Sequence, residues 1–229
     1  MSAEFDLLAD EYDAIHSENI AITGERPEFF AEYKIADLAS LAARERREVR
    51  DILDFGSGIG NSIPWFRKYF PQARLACADV SRRSHEIASA RFPGAQHHLV
   101  VHERVPVPPA SCDIVFSACV FHHIPHAQHL HWLRELRRIV RPGGLLAIYE
   151  HNPANPLTVH AVRTCPLDAN AHLVPPAQLR RCAAQAGWRA PAVEYKLFFP
   201  HWLRMLRALE PGLQWFPLGA QYRLVAHRA

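Results

Sequence analysis

Asp51-Ile-Leu-Asp-Phe-Gly-Ser-Gly-Ile-Gly60 carries a hydrophobic strand into three alternating glycines, and downstream Ala76-Cys-Ala-Asp-Val80 ends a second such strand on an acid. Gly56, Gly58 and Gly60 let the backbone turn tightly beneath a ligand, and Asp79 can accept hydrogen bonds from both hydroxyls of a ribose. The pattern therefore fits a nucleoside cofactor, of two kinds. A dinucleotide site uses G-x-G-x-x-G to seat a pyrophosphate on a helix N-terminus. This chain instead has G-x-G-x-G preceded by Asp54. An added carboxylate repels a diphosphate but suits a cofactor carrying an ammonium and a sulfonium.

Ile52-Leu-Asp-Phe-Gly-Ser-Gly-Ile-Gly60 resembles the first motif of the class I S-adenosylmethionine-dependent methyltransferases. Asp79 matches that family's ribose-binding acid. Asp113-Ile-Val-Phe-Ser-Ala-Cys-Val-Phe-His-His-Ile124 resembles its fourth strand and following turn. Leu136-Arg-Arg-Ile-Val-Arg-Pro-Gly-Gly-Leu-Leu-Ala-Ile-Tyr149 resembles its next helix, Pro-Gly-Gly turn and fifth strand. The glycine run alone would be weak; these segments in this order, over residues 49 to 150, are specific. The resemblance implies an α/β, Rossmann-like fold: a seven-stranded, mostly parallel sheet with an antiparallel last strand and helices on both faces.

It also implies roles. Asp54 would hold the methionine ammonium of S-adenosylmethionine, the backbone of Gly56, Ser57 and Gly58 would run along the methionine and ribose, and Val80 would lie against the adenine. The family often places an Asp on the adenine amino group, but His98-Leu-Val-Val-His-Glu103 has none there. Glu103, or a carbonyl of Val101 or His102, would substitute. Ser117 to Phe121 would pass near the transferable methyl.

At 229 residues, 49% hydrophobic and 21% charged, the chain can bury the core of one domain. No apolar run approaches the roughly 18 residues of a membrane span. The start, Met1-Ser-Ala-Glu-Phe-Asp, lacks a signal peptide's basic flank, so a cytoplasmic protein is expected. The five cysteines form no C-x-x-C pair and read as reduced thiols. A formal charge of +3, with the basic cluster Arg44-Glu-Arg-Arg-Glu-Val-Arg50 broken by glutamates, reads as a solvated helix face and argues against a nucleic-acid partner.

Patterning predicts a helix over 28–47, a strand over 49–55, a helix over 61–69 with Pro64 in its first turn, and a strand over 74–79. A helix over 82–91, strands over 97–101 and 113–117, a helix over 127–140 stopped by Pro142-Gly-Gly144, and a strand over 144–150 follow. Pro175-Pro176 starts a helix to Ala186 with Gly187 as its C-cap. Val193 to Phe199 and Gln221 to Ala226, flanking a short helical piece near Leu203 to Leu209, are the antiparallel sixth and seventh strands in the resembled fold. Segment 1–30 and the insertions 151–174 and 200–219 are the candidates for a cap over the acceptor.

Glu150 and His151 close the fifth strand, where an acceptor must sit for in-line attack on the sulfonium methyl; His151 is the candidate base or substrate orienter. His122, of the His122-His123 pair, is a second candidate base, weighed against a loop-ordering role. Asn152 and Asn155 add polar groups to the same loop, and Arg163 offers a cation to an acidic substrate. In the N-terminal cap, Phe5, Tyr12, His16, Phe29, Phe30 and Tyr33 mix aromatic surface with hydroxyls, and Tyr12 and Tyr33 are the functional choices. Phe198, Phe199, Trp202, Trp215, Phe216 and Tyr222 read either as an apolar acceptor pocket or as a self-association surface of a homo-oligomer.

His122, His126 and His129 would share a helix side if that helix began early, but Pro125 interrupts it. No cysteine or carboxylate completes a ligand spacing, and a sulfonium is already an activated leaving group, so no metal is expected. Methyl transfer to a small organic acceptor, in secondary metabolism or a sugar pathway, leads. A nucleic-acid or protein methyltransferase, a non-catalytic cofactor-binding scaffold and a nicotinamide-dependent dehydrogenase are the alternatives.

Overall fold

A computed structural model describes residues 6–229, so Phe5 lies outside the described residues. Seven strands form one sheet in the order β3-β2-β1-β4-β5-β7-β6. They are β1 (Asp51–Phe55), β2 (Arg74–Asp79), β3 (Gln96–Leu99), β4 (Cys112–Ala118), β5 (Val140–His151), β6 (Arg189–Lys196) and β7 (Gln221–His227). β1 to β5 pair in parallel, and β7 is antiparallel to both β5 and β6. Only β7 runs against the sheet; β6, expected antiparallel beside it, shares the direction of the first five. The strand order reverses between β1 and β4, opening the crevice at their carboxyl ends where open α/β sheets bind ligands.

Alternation along the central strands builds two cores. Leu53, Phe55, Val115, Leu146 and Ile148 face one side of the sheet. There they meet α5 (His129–Ile139) through Trp132, Leu133 and Leu136, and α7 (Pro176–Gln185) through Leu179 and Ala183. Ile52, Ile114, Phe116, Leu145 and Ala147 face the other side. They pack on α2 (Pro27–Arg44) through Ile35, Leu38 and Leu41, and on α3 (Ile63–Tyr69) through Phe66. This period of two is what a sheet covered on both faces requires. α4 (Arg82–Arg91) follows β2, its N-cap Ser81 accepting from Ser84 N.

Several element ends differ from expectation, and at three of them the cause is visible. β6 begins at Arg189, and Pro191 is tolerated there because the strand pairs on one side only. It ends at Lys196 rather than Phe199, since the Phe198 and Phe199 N–H groups donate to Glu210 Oε1 at 2.9 and 3.2 Å. β5 begins at Val140, opposite Cys112, and absorbs the Pro-Gly-Gly turn as an irregularity before resuming at Leu145. Patterning also passes over two helices, α1 (Tyr12–Ile20) and α6 (Pro156–Thr164). A 3-10 stretch over His201–Leu209 and α8 (Glu210–Leu213) complete the chain.

Candidate active site

The turn after β1 is fixed by backbone chemistry. Gly56 N and Ser57 N donate to Ala78 O at 2.7 and 3.2 Å, and Gly58 N donates to Asp79 Oδ2 at 2.8 Å. Asp79 Oδ1 accepts from Ser81 N at 2.9 Å, so this acid braces the glycine loop from the neighbouring strand. Gly56 sits at φ +76°, where a Cβ would collide with the Val120 side chain. Gly58, at φ +50°, has open space where its Cβ would be.

Above this turn lies a cavity of ≈ 230 Å³. Asp54, Gly56, Ser57 and Gly58 form its floor, α1 and α2 contribute Tyr12, His16 and Lys34, and α6 with the segment after it contributes Thr158, Cys165 and Asp168. Asp54 is buried, and its Oδ2 has no hydrogen-bond partner among the described residues. Burial, and then the charge of Asp79, push its carboxyl up to about 7, with the Ser62 hydroxyl and then Lys34 pulling in the opposite direction. A buried acceptor oxygen without a donor is costly unless a ligand supplies one.

At the far wall, Glu150 is fully buried and organises the turn after β4. Its Oε1 accepts from Val120 N and Phe121 N at 2.8 and 2.7 Å, and its Oε2 lies 2.6 Å from His122 Nδ1. Burial alone would raise this carboxyl, but the His122 charge and the N–H donors bring it below the usual range. His122 Nε2 lies 3.3 Å from Asp168 Oδ1, and His123 Nε2 lies 3.4 Å from the same oxygen. Burial opposes the charge on His122, yet Glu150 and Asp168 hold it well above the ordinary imidazole range. The neighbouring rings behave oppositely. Burial, reinforced by the His122 charge, depresses His123 and His151 to about 4. Burial and Lys34 do the same to His16.

Of the residues singled out in the sequence, Asp54, Gly56, Ser57, Gly58, Tyr12, His16, Phe30, His122, His123 and His151 line this one cavity. Glu150 stands directly behind it, on His122. Asp79, Val80 and Ser117 are not cavity-lining: Asp79 braces the loop, Val80 packs on the core and Ser117 is buried within β4. Glu103 sits outside the cavity in an exposed turn at φ +56°, accepting from Gln128 Nε2 at 3.2 Å. Tyr33 turns away to donate to Glu210 Oε2 at 3.4 Å.

Arg163 is exposed outside the cavity. Asn152 and Asn155 join the two insertions rather than face an acceptor: Asn152 Nδ2 donates to Gly219 O at 2.7 Å, and Asn155 Nδ2 to Leu218 O at 2.8 Å. Asn155 also caps α6. Trp202 and Trp215 are exposed and Tyr222 is buried in the core, so the C-terminal aromatics do not build the pocket. His129 gives its Nε2 to Phe121 O and Ile124 O, which takes the His122, His126 and His129 trio apart as a ligand set.

Sequence reasoning passes over Lys34 and Asp168, and it takes His16 only as part of an aromatic cap. Lys34 had a signal: it is buried together with Ile35, Leu38 and Leu41 on α2, a cation on the core-facing stripe. Asp168 is the only acid of insertion 151–174.

Residues 53–148 match the family model of a methyltransferase domain. The chain is 31% identical over 147 residues, 63% of its length, to the trans-aconitate 2-methyltransferase of Rhodopseudomonas palustris (strain BisB18), covering 49% of that protein. It is 34% identical over 99 residues, 42% of its length, to the malonyl-[acyl-carrier protein] O-methyltransferase of Hahella chejuensis (strain KCTC 2396), covering 35% of it. The chain thus spans about half the length, or less, of these curated relatives. Its fold is that of a solved S-adenosylmethionine-dependent methyltransferase from Thermotoga maritima: TM-score 0.68, 17% identity, and 100% of each chain covered.

Proposed function

We propose, from a chain whose residues 53–148 form a class I S-adenosylmethionine-dependent methyltransferase domain, that the whole protein methylates a small organic acceptor. One observation carries this reading: a buried carboxylate, Asp54, whose Oδ2 has no hydrogen-bond partner among the described residues, and a buried Lys34 share a cavity built on the glycine turn. The methionine end of S-adenosylmethionine is a zwitterion, so Asp54 complements its ammonium and Lys34 its carboxylate. The pair does not suit a pyrophosphate. When bound, the cofactor supplies a methyl group on an already activated sulfonium.

The chain's own residues do the remainder. Asp79 keeps the glycine turn in the shape that leaves Gly58 open, and its carboxylate takes the ribose hydroxyls. His151 is held neutral by burial, so it accepts a hydrogen bond from the acceptor without bringing a charge. Tyr12, its hydroxyl pushed up by burial, remains a donor. α1 and α6 border the cavity, and their closure over bound ligands would exclude water and hold two reactants together. This enclosure supports a small acceptor over a nucleic acid or protein. The acceptors in the names of the two relatives put carboxylic acids first among compounds to screen.

Calorimetric titration with S-adenosylhomocysteine, with NAD in parallel, is the test. Selective binding of the first supports the proposal; no binding, or a preference for NAD, overturns it.

A further inference from the structure

His122, His123 and Asp168 present one imidazole nitrogen each and a carboxylate oxygen, all within 4.8 Å of one another, on the wall of the acceptor cavity. We infer that these three side chains form a binding site for a divalent transition metal ion, Zn²⁺ by the chemistry of its ligands, with one coordination position open to the cavity. Only the assignment of that open position to an oxygen of the methyl acceptor rests on the function proposed above; the ion site stands on its own geometry.

The separations carry the inference. Asp168 Oδ1 is 3.3 Å from His122 Nε2 and 3.4 Å from His123 Nε2. Charge-assisted hydrogen bonds between such groups close to about 2.7–2.9 Å. Glu150 and His122 do so at 2.6 Å. Two ligands bound to one tetrahedral Zn²⁺ at about 2.0–2.2 Å stand about 3.4 Å apart. Asp168 therefore sits between two imidazoles at the spacing of ligands that share an ion. The remaining edge, between the two imidazole nitrogens, is within 4.8 Å and would close to about 3.4 Å around a shared ion.

The surroundings fit as well. A metal-bound histidine usually donates its other N–H to a carboxylate, which fixes its tautomer and orientation. Glu150 Oε2 meets His122 Nδ1 in this way, while its Oε1 is pinned by the Val120 and Phe121 N–H groups. Two imidazoles and one carboxylate with an open position form a ligand set that transition metals prefer over Mg²⁺ or Ca²⁺. His122 and His123 lie after β4, whereas Asp168 lies after α6, and only the fold brings the two segments together. Ligand spacing along the chain therefore leads to the expectation of no metal, because it cannot join residues from separate segments.

The test uses the full chain, freed of metal by a chelator and desalted, titrated with Co²⁺ in the absence of cofactor and acceptor. One equivalent should bind with visible d–d absorption, and Zn²⁺ should displace it. His123→Ala and Asp168→Asn should each weaken binding at least about tenfold, and Glu150→Gln by about 10- to 100-fold. His126→Ala, in the same connection but outside the triad, should bind as the parent does. Absence of the absorption overturns the site, as does Co²⁺ binding that survives both His123→Ala and Asp168→Asn in variants with native circular dichroism. Titration of the same sample with S-adenosylhomocysteine reports separately on the methyltransferase reading.

Discussion

Asp54 is a carboxyl whose ionisation the fold moves up to near neutral pH. Its folded value, raised to about 7 by burial and the Asp79 charge, lies above its unfolded one. Its contribution to stability is therefore full below the unfolded pKa, about 3.9, and is lost as pH rises through about 7. Cofactor binding has the opposite sign, because only the ionised form complements an ammonium. Affinity for S-adenosylhomocysteine should rise about tenfold per unit as pH climbs from about 5.5 toward 7 and then level off. Asp79 and Lys34 face the same carboxyl and shift the midpoint without reversing the slope. Asp54→Asn should flatten the profile; calorimetry across that range decides, and a profile unchanged by the substitution would refute the assignment. The two glycines beside it separate fold from function. Gly58→Ala places a methyl in open space at a φ that costs an alanine about 1–2 kcal/mol, so the variant should fold. It should nevertheless bind S-adenosylhomocysteine at least about tenfold more weakly, since in the proposed site that space would hold the ligand. Gly56→Ala drives a methyl into Val120 and should lose stability by more than its neighbour. Urea melts and calorimetry on both variants check the contrast; equal stability losses would contradict it.

At the scale of elements, α2 is locked to the far edge of the sheet by a polar network that no motif announces. Asp37 Oδ2 accepts from Tyr149 OH at 2.7 Å and from Arg223 at 2.6 Å, and Asp37 Oδ1 accepts from Lys196 at 3.1 Å. The Lys196 and Arg223 side chains are each 1% exposed and share a second carboxylate, Glu194, at 2.8 and 2.6 Å, so removing Asp37 leaves two buried cations on one acid. Asp37→Ala should therefore cost about 1.5–3 kcal/mol, read as a lower urea midpoint at unchanged slope. A loss below about 1 kcal/mol would show that water repairs the network. The elements also differ in how far the chain made them legible. β2 and α4 fall at their expected boundaries because alternation and an N-cap mark them locally. β6 does not, because its end is set by Glu210, a residue from another element. The glycine turn and Asp54 were legible for the same local reason as β2. Asn152 and Asn155, in contrast, resemble site residues in sequence but spend their amides on carbonyls of the 200–219 insertion.

Across the whole molecule, the ≈ 230 Å³ cavity is smaller than the roughly 300–1,000 Å³ common for ligand pockets, so something must yield to admit cofactor and acceptor. α1 is the element best suited to do so. No residue of it is fully buried, although Tyr12 and His16 face the cavity. Polar surface contacts attach it and its approach to the core: Asp10 to Arg83 at 2.6 Å, Asp13 to Arg91 at 3.1 Å, and Asp6 to Ser81 Oγ at 2.6 Å. Exposed ion pairs contribute about 0–1 kcal/mol each and weaken with salt. Amides of residues 12–20 should therefore exchange with solvent faster than those of α2 in the ligand-free protein. S-adenosylhomocysteine should slow them by at least about tenfold, because a bound ligand gives Tyr12 and His16 a surface to close on. Raising salt to about 1 M, where screening extends only about 3 Å, should speed exchange in the free protein more than in the complex. Equal protection of α1 and α2 without ligand would mean that α1 is a fixed wall, and the opening would then have to be sought at α6.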